Sequence, residues 1–468
     1  MQKIFIPLAV IFFGILATLP SFFIPLGLPP EGDAIAYHIP LIRWMAEHRT
    51  IPNWPWTYVD DYPMLGQILM TPFWMISPAL ARIVPLFATL FSAYFAAALT
   101  ADLFLPKNKF YFLCIWACLL GFRPLAIQTN LLMVDNIASC FTLGALFFIF
   151  QKKIKTSAAF LALAMATKYA VWQAAPIILF VLFLQLRKQK KPFIKQMLIF
   201  IGITSLGVLP FSIRNYLVNQ GNPLFPQFSS RFHNIFPFLY GRGHDLKSYF
   251  MLPYDILYTN TFVKGFFDYT VGKLFYLQLL LFAFYAAKRF LSPQKIFLRE
   301  KVSYETFSFF AFLFLYGTAW FVLGAQQMRF LVPAALLLNA FMCAYIFKNA
   351  PVYITILLTL TTILSLTSIQ KDQFLIAVGK KQVQNFVAAE KAKACIAQVP
   401  HEAFIAYRDS FIIGYVDHTN YLYLDVYSLP TELPHHQIYD YIYSSESITP
   451  TPGFKPWPSD APCLLKKI

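Results

Sequence analysis

The chain of 468 residues is 58% hydrophobic and 13% charged, whereas soluble domains carry about a quarter charged residues. This composition excludes an ordinary soluble protein and a disordered one. The 38 Lys and Arg residues outnumber the 22 Asp and Glu residues and give a net charge of +16. In a membrane protein, such an excess first indicates cytoplasmic loop charge and contact with lipid phosphates. We therefore expect an α-helical polytopic membrane protein with membrane lipids, and no nucleic acid, among its partners.

Apolar runs of membrane length predict the spans. They lie near 4–28, 78–104, 110–127, 135–150, 193–211, 271–289, 305–323, 330–347 and 351–369. The segment 156–186 has basic clusters at both ends, so the positive-inside rule predicts two short helices with a turn near Thr167, Lys168 and Tyr169. The prediction is therefore about 11 spans, with the amino terminus in the cytoplasm and the carboxyl terminus outside.

Three segments on the outer side are too long to be simple turns: about 29–77, about 211–270 and the tail 370–468. The tail contains short runs rich in β-branched and aromatic residues, which predict a small extracytoplasmic α/β domain after a transmembrane module of residues 1–369. Cys395 and Cys463 both lie in the tail, where an oxidising compartment would permit a disulfide, and whether it forms stays open. The other four cysteines, in predicted spans, are expected to be buried: Cys114, Cys118, Cys140 and Cys343.

The first outer segment is rich in polar and aromatic residues. Asp33 can begin a helix, shares a face with Tyr37, and is either a helix cap or a functional acid. The residues that follow, to Arg49, predict an amphipathic helix at the membrane surface. Farther on, the Trp- and Pro-rich run 54–63 suits a membrane belt or a sugar ring. Asp60 and Asp61 could bind a divalent ion or be solvated.

Further ionisable residues are expected on the outer side of the bundle. Asp135 begins the fourth span, Lys168 lies at the hairpin turn, Arg214 lies where the seventh span leaves the bilayer, and Arg329 lies in the turn before the tenth. Asp135 could be only a helix cap. The basic residues suit lipid headgroups or a bound phosphate. Ionisable residues at membrane depth more often serve function.

In these motifs the chain resembles the bacterial integral-membrane glycosyltransferases of the C-type fold (GT-C), which include lipid A aminoarabinose transferases, protein O-mannosyltransferases and family-39-like enzymes. The resemblance covers roughly residues 1–347. It rests on Gly32–Pro40 with Tyr62-Pro63, Val134-Asp135, Ala166–Tyr169, Arg214-Asn215 with Gly221–Pro226, and Arg329–Pro333. In the family a second acid usually sits beside the first-loop aspartate, but here Glu31 is two positions upstream of Asp33 and Ala34 follows it, so the number of catalytic carboxylates stays open.

The resemblance implies a GT-C-like arrangement and a function. It implies transfer of a sugar from a polyprenyl-phosphate donor to a lipid, glycan or protein acceptor, with inversion, at the outer (periplasmic) face of a bacterial inner membrane. The implied site residues are Asp33 and Asp135 for catalysis, Lys168, Arg214 and Arg329 for the donor phosphate, and Tyr37, His38, Asp61 and Tyr62 for the acceptor or sugar.

No cofactor is implied with certainty, and dependence on a divalent metal stays open. Neither a Gly-rich phosphate loop nor a zinc-ligand spacing is present in the sequence. Two alternatives remain: a flippase or transporter for the lipid-linked sugar, and a non-catalytic scaffold of envelope glycan assembly. A transporter often has an internal repeat, and the sequence has no two-half symmetry of this kind.

Overall fold

The computed structural model describes residues 34, 38–51, 63–105, 109–189, 193–218, 223, 245–251, 273–291, 303–323, 328–377, 394–400, 403, 405–407, 421–423, 441–443, 454–457 and 464–467. Most of these residues are helical. The helices are, in chain order, α1 (Ile39–His48), α2 (Leu65–Ile76), α3 (Ile83–Phe104), α4 (Lys109–Leu120), α5 (Arg123–Ile127), α6 (Asp135–Phe150), α7 (Ile154–Thr167), α8 (Ala174–Gln189), α9 (Phe193–Val218), α10 (246–251), α11 (Lys273–Leu291), α12 (Tyr304–Leu323), α13 (Met328–Asn349) and α14 (Val352–Ala377).

Several helices have the length and composition of membrane spans. Within the described residues, six segments are long and apolar enough to cross a membrane: Leu80–Phe104, Tyr169–Arg187, Phe193–Leu217, Leu274–Leu291, Tyr304–Leu323 and Met328–Asn349. Shorter apolar helices lie at Leu65–Ile76, Lys109–Leu120, Asp135–Phe150, Ile154–Thr167 and Val352–Leu366. The predicted first span, 4–28, lies outside the described residues, so the total of 11 spans stays a prediction.

The segment 156–186 forms the two helices and the turn that its flanking charges predict. Helix α7 ends at Thr167, and Lys168 has an extended backbone with φ −161° and ψ 136°. A single 3₁₀ turn, Tyr169–Val171, then leads into α8. The helical backbone therefore ends just before Lys168, and this residue belongs to neither α7 nor α8.

Helix α13 is the centre of the bundle. It packs against α3, α4, α6, α11 and α12, while α7 packs against both α6 and α9. Its inner face joins a continuous apolar core that includes the fully buried rings of Trp116, Tyr316 and Trp320. In contrast, α9 and α11 expose large apolar side chains such as Leu206 and Leu280. That exposure matches contact with lipid, because apolar surface of this extent is rare on soluble monomers.

Four boundaries differ from the predicted ones. Helix α2 lies inside the predicted loop 29–77. It is not predicted from the sequence, because a helix of twelve residues with Pro72 inside is too short for a membrane-length window to detect. Helix α9 continues past the predicted end at Phe211 to Val218, since a helix does not stop where its hydropathy falls. The predicted span 110–127 is interrupted between α4 and α5, where a new helix begins at Arg123 with Pro124 in its first turn. Helix α14 continues past residue 369 to Ala377.

One part of the second outer segment is described. Helix α10 begins after Asp245, whose carboxylate accepts a hydrogen bond from the backbone N–H of Ser248 at 2.6 Å. This bond favours the charged carboxylate and lowers the pKa of Asp245. The ring of Tyr249 packs edge-on against Phe321 of α12, with ring centroids 5.0 Å apart. Helix α10 is therefore fixed to the end of α12.

Five short strands lie in the tail: β1 (Ile405–Tyr407), β2 (Tyr421–Tyr423), β3 (Tyr441–Tyr443), β4 (Phe454–Trp457) and β5 (Leu464–Lys467). They form one mixed sheet in the order β2-β1-β3-β5-β4, in which β1 is parallel to β2 and β3, and β5 is antiparallel to β3 and β4. The extent of an α/β domain, and the boundary between residues 369 and 370, stay predictions.

The cysteines fall into two groups. Cys395 is disulfide-bonded, and its predicted partner Cys463 lies outside the described residues, so the pairing itself stays a prediction. The four cysteines predicted to be buried in spans are buried and free, as expected: Cys114, Cys118, Cys140 and Cys343.

Candidate functional site

A buried ion pair lies at the start of α6. The Nζ atom of Lys168, in the turn between α7 and α8, donates a hydrogen bond to Oδ1 of Asp135 at 2.6 Å. Both side chains are buried, with Asp135 only 3% exposed. Burying two charges is costly unless they are paired. This contact explains how the turn can carry a lysine into the bundle.

Asp135 occupies the first turn of α6, where the helix dipole favours a negative charge. The N-cap residue is Val134, and no side chain caps this helix end. The alternative interpretation of Asp135 as a simple helix cap is therefore wrong. Its second oxygen, Oδ2, is buried and has no hydrogen-bond partner among the described residues. That oxygen remains an acceptor for a further donor.

Arg329 contributes a second buried cation to the same place. It lies in the first turn of α13, is 6% exposed, and interacts electrostatically with Asp135. The next residue, Phe330, has a ring that faces both cations: Lys168 Nζ is 4.5 Å and Arg329 Cζ is 5.4 Å from its centroid. The Tyr316 hydroxyl donates to the Phe330 carbonyl oxygen at 3.0 Å. Two cations thus meet one carboxylate, which leaves an excess of one positive charge among these three groups.

Helices α1 and α2 bring a histidine to this cluster. His38, which is 2% exposed, interacts electrostatically with Asp135. The side-chain nitrogen of Gln67, at the start of α2, lies 2.9 Å from His38 Nδ1. The preceding residue, Gly66, allows the close approach of α2: a Cβ there would lie 2.5 Å from Val134 Cγ1 and 3.3 Å from Thr167 Cγ2. Helix α2 therefore packs directly against the residues that precede both partners of the ion pair.

A second polar chain reaches the same turn from α9. The guanidinium of Arg214 donates to Asn215 Oδ1 at 3.2 Å, and Asn215 Nδ2 donates to the Tyr169 hydroxyl at 2.9 Å. Asn215 is buried and Arg214 is half-buried. The ring of Trp172 packs edge-on against Tyr169, with centroids 4.5 Å apart. Arg214 is thus tied to the residue next to Lys168.

The structure brings several of the sequence-predicted residues together. Asp135, Lys168, Arg329 and His38 form one buried cluster, and Arg214 is joined to it through Tyr169. The other predicted site residues lie outside the described residues: Asp33, Tyr37, Asp61 and Tyr62. No group of three or more His, Cys, Asp or Glu residues that could hold a metal occurs in the described part of the chain. Asp60 and Asp61 are outside it.

Sequence reasoning missed the neutral residues of the site. Gln67, Asn215 and Tyr316 are all buried and hydrogen-bonded to it or near it. Their only signal in the sequence is a polar atom within or beside an apolar run, which is a weak one. Asn215 stands beside Arg214 in a stretch that the resemblance already singles out, so it could have been included.

Solved structures with a similar fold are known. ArnT from Cupriavidus metallidurans bound to undecaprenyl phosphate superposes with a TM-score of 0.60 at 12% sequence identity, covering 91% of this chain and 88% of that one. Its apo form gives the same TM-score at 11% identity, covering 91% and 86%. The oligosaccharyltransferase AglB from Archaeoglobus fulgidus, in complex with an inhibitory peptide and a dolichol-phosphate, gives 0.50 at 13% identity, covering 95% and 69%.

No family model and no curated protein sequence matches the chain. At these identities, the likeness to solved structures establishes the fold. Together with the six apolar helices of membrane length, the superpositions establish that the chain is a multi-pass membrane protein with the fold of the GT-C glycosyltransferases.

Proposed function

We propose that the protein is a glycosyltransferase that transfers a sugar from a polyprenyl-phosphate donor to a lipid, glycan or protein acceptor. The observation that carries this proposal is the buried cluster of Lys168 and Arg329 around the carboxylate of Asp135. A phosphate has enough oxygens to accept hydrogen bonds from both cations. The fold shared with a protein bound to undecaprenyl phosphate supports a lipid-linked donor.

The basic residues hold and stabilise the donor phosphate. Lys168 donates one hydrogen bond to Asp135, and an ammonium group can donate to a phosphate oxygen as well, because it carries three N–H donors. Arg329 presents a planar fork suited to a second oxygen. As the sugar–phosphate bond breaks, the phosphate gains negative charge, which fixed cations in a poorly hydrated pocket stabilise. Arg214, held by Asn215, is the third member of this clamp.

Asp33 is the proposed base. The acceptor hydroxyl attacks the anomeric carbon and loses its proton to the carboxylate, while the bond from that carbon to the phosphate oxygen breaks and polyprenyl phosphate leaves with the electron pair. A positioned base contributes roughly 10² to 10⁴-fold. Direct displacement inverts the anomeric centre. Asp135 is the second catalytic carboxylate, and its contact with Lys168 suits a role in orienting the phosphate clamp.

The remaining assignments complete the proposal. Tyr37, His38, Asp61 and Tyr62 contact the acceptor or the sugar. The module 1–369 has about 11 spans in a bacterial inner membrane, with its site at the periplasmic face. The tail 370–468 is an extracytoplasmic α/β domain.

A transfer assay tests the proposal. The protein is reconstituted in lipid nanodiscs with a panel of synthetic undecaprenyl-phosphate sugars and membrane extract as acceptor, and release of undecaprenyl phosphate is measured. We expect Asp33→Asn to abolish release while binding of undecaprenyl phosphate stays near that of the wild type. The matched control is Asp102→Asn, because Asp102 is an acid at the far end of α3 that accepts a hydrogen bond from Gln151 at 2.9 Å. Full turnover by Asp33→Asn would refute the assignment of the base.

The same assay separates the alternatives. A flippase would move a labelled donor across a vesicle membrane without forming product. A scaffold would neither move nor consume it, and Asp33→Ala would leave its assembly role intact. Transfer that needs Asp33 would exclude the two alternatives together.

A further inference from the structure

The contact between His38 and Gln67 concerns the protonation of the histidine. The structure places the amide nitrogen of Gln67 2.9 Å from His38 Nδ1, and both side chains are buried. An amide nitrogen only donates, so Nδ1 must accept and carries no proton. The neutral ring then has its proton on Nε2. In this arrangement His38 is uncharged.

Gln67 can also hold the charged form of His38. A protonated Nδ1 needs an acceptor, and the amide supplies one when it rotates by half a turn so that Oε1 faces the ring. Among the described residues, Oε1 has no hydrogen-bond partner, so the rotation breaks no other contact of this oxygen there. Because the Gln67 amide donates in one orientation and accepts in the other, it can hold the His38 ring in the same position in both protonation states.

Charged groups from several elements act on the protonation of His38. Asp135 from α6 favours the imidazolium, whereas Lys168 from the turn and Arg329 from α13 disfavour it. Helix α2, which packs against α1, carries no charged residue. A phosphodiester bound by Lys168 and Arg329 would add one negative charge to this cluster. The added charge favours the protonated form of His38 relative to the state without the donor.

We propose that His38 takes up a proton when the anionic donor binds, and that Gln67 is the positioning residue that holds His38 in both protonation states. This inference rests on the proposed function, because it needs the phosphate in the Lys168–Arg329 cluster. The proton comes from solvent and is released again when the lipid phosphate leaves. Protonated His38 is then a conditional cation beside the fixed basic residues of the clamp, so donor binding is coupled to pH.

Binding of a donor analogue at several pH values tests this coupling. The probe is the methyl diester of undecaprenyl phosphate, a phosphodiester whose single charge does not change over the range used. Its Kd is measured in nanodiscs of neutral lipid from about pH 6 to about pH 8, the range in which histidine changes charge. By linkage, if one proton is taken up on binding, the Kd rises by up to about 10-fold for each unit by which the pH increases. We expect a rise in Kd of roughly 10-fold over the range for the wild type.

Variants assign the effect to the two residues. In His38→Asn, the Kd should be nearly independent of pH. Gln67→Leu removes the acceptor for Nδ1–H, so the pH dependence should shrink to below about 3-fold. Gln67→Glu supplies a permanent acceptor, so tight binding should extend to higher pH. The variant Asp33→Asn is measured in parallel, so that a pH dependence caused by titration of the Asp33 carboxylate is distinguished from one caused by His38.

The matched control is Gln185→Leu. Gln185 is a second buried glutamine, 4% exposed, and its amide donates to Ser308 Oγ at 3.1 Å between α8 and α12. The pH dependence in this variant should equal that of the wild type. A pH-independent Kd in the wild type, an unchanged slope in His38→Asn, or a Gln67→Glu variant identical to the wild type would each overturn the inference. Failure of the wild type to bind the diester at any pH would instead refute the proposed donor site, and this inference with it.

Discussion

The Nζ atom of Lys168 lies 2.6 Å from Oδ1 of Asp135 and joins the turn between α7 and α8 to the first turn of α6. Both groups are buried, so neither charge is stabilised by water and each is neutralised by the other. The pair therefore has a structural role that is separable from any role in binding phosphate. A comparison of single and double variants can measure the two roles independently.

Replacing one member of the pair should destabilise the protein strongly. In Lys168→Met, Asp135 is left as a buried charge without its lysine partner, which costs about 3–5 kcal/mol. The double variant Lys168→Met with Asp135→Asn removes both charges, and its thermal unfolding midpoint should return most of the way to that of the wild type. Binding of undecaprenyl phosphate should stay weak in the double variant. Recovery of both stability and binding would contradict a role of Lys168 in the phosphate clamp.

The ring of Phe330 should matter through its electrons as well as its volume. Lys168 and Arg329 both face this ring, at 4.5 and 5.4 Å from its centroid, and each such contact contributes about 0.5–2 kcal/mol. Phe330→Leu should therefore weaken binding of undecaprenyl phosphate roughly 3- to 10-fold, whereas Phe330→Trp should retain it. The control is Phe284→Leu on the exposed face of α11. Equal affinities for the Leu and Trp variants would show that the aromatic ring does not contribute to binding.

Gly66 should be intolerant of even one methyl group. In Gly66→Ala the new Cβ would lie 2.5 Å from Val134 Cγ1, so α2 must shift away from the residues beside Asp135 and Lys168. Overpacking of this kind costs about 1–3 kcal/mol, measured as a fall in the unfolding midpoint. Val134→Ala should partly rescue the variant by removing the methyl group that clashes. Gly202→Ala is the matched control, since a Cβ at Gly202 meets nothing within 4 Å.

The hairpin was predictable because its signal is electrostatic and local. Basic clusters at both ends of residues 156–186 require that the chain return to the side on which it began. The turn at Lys168 follows, as does its place on the same side of the membrane as Asp135. The partner of Lys168 could not be predicted. The predicted topology places Asp135, Arg214 and Arg329 at the same end of the bundle as Lys168, but it does not give their distances from it. Those distances depend on how α6, α7 and α13 pack.

Gln67 and helix α2 show where sequence reasoning ends. A twelve-residue apolar helix with Pro72 inside is shorter than a bilayer span, so periodicity at membrane length does not detect it. Gln67 is neutral, and its partner His38 lies 29 residues earlier in the chain. A pair of this kind leaves no charge pattern, and only the packing of α1 against α2 brings it together.

The hydrogen bond between Asn215 and Tyr169 should connect Arg214 to the site. Tyr169→Phe removes the hydroxyl that accepts from Asn215 Nδ2 at 2.9 Å, and the lost bond to a buried donor should cost about 1–3 kcal/mol of stability. Because Asn215 also holds Arg214, affinity for undecaprenyl phosphate should fall as well. Tyr94→Phe, at a half-buried tyrosine of α3 that packs against Phe112, is the control. A Tyr169→Phe variant with reduced stability and unchanged affinity would remove Arg214 from the phosphate clamp.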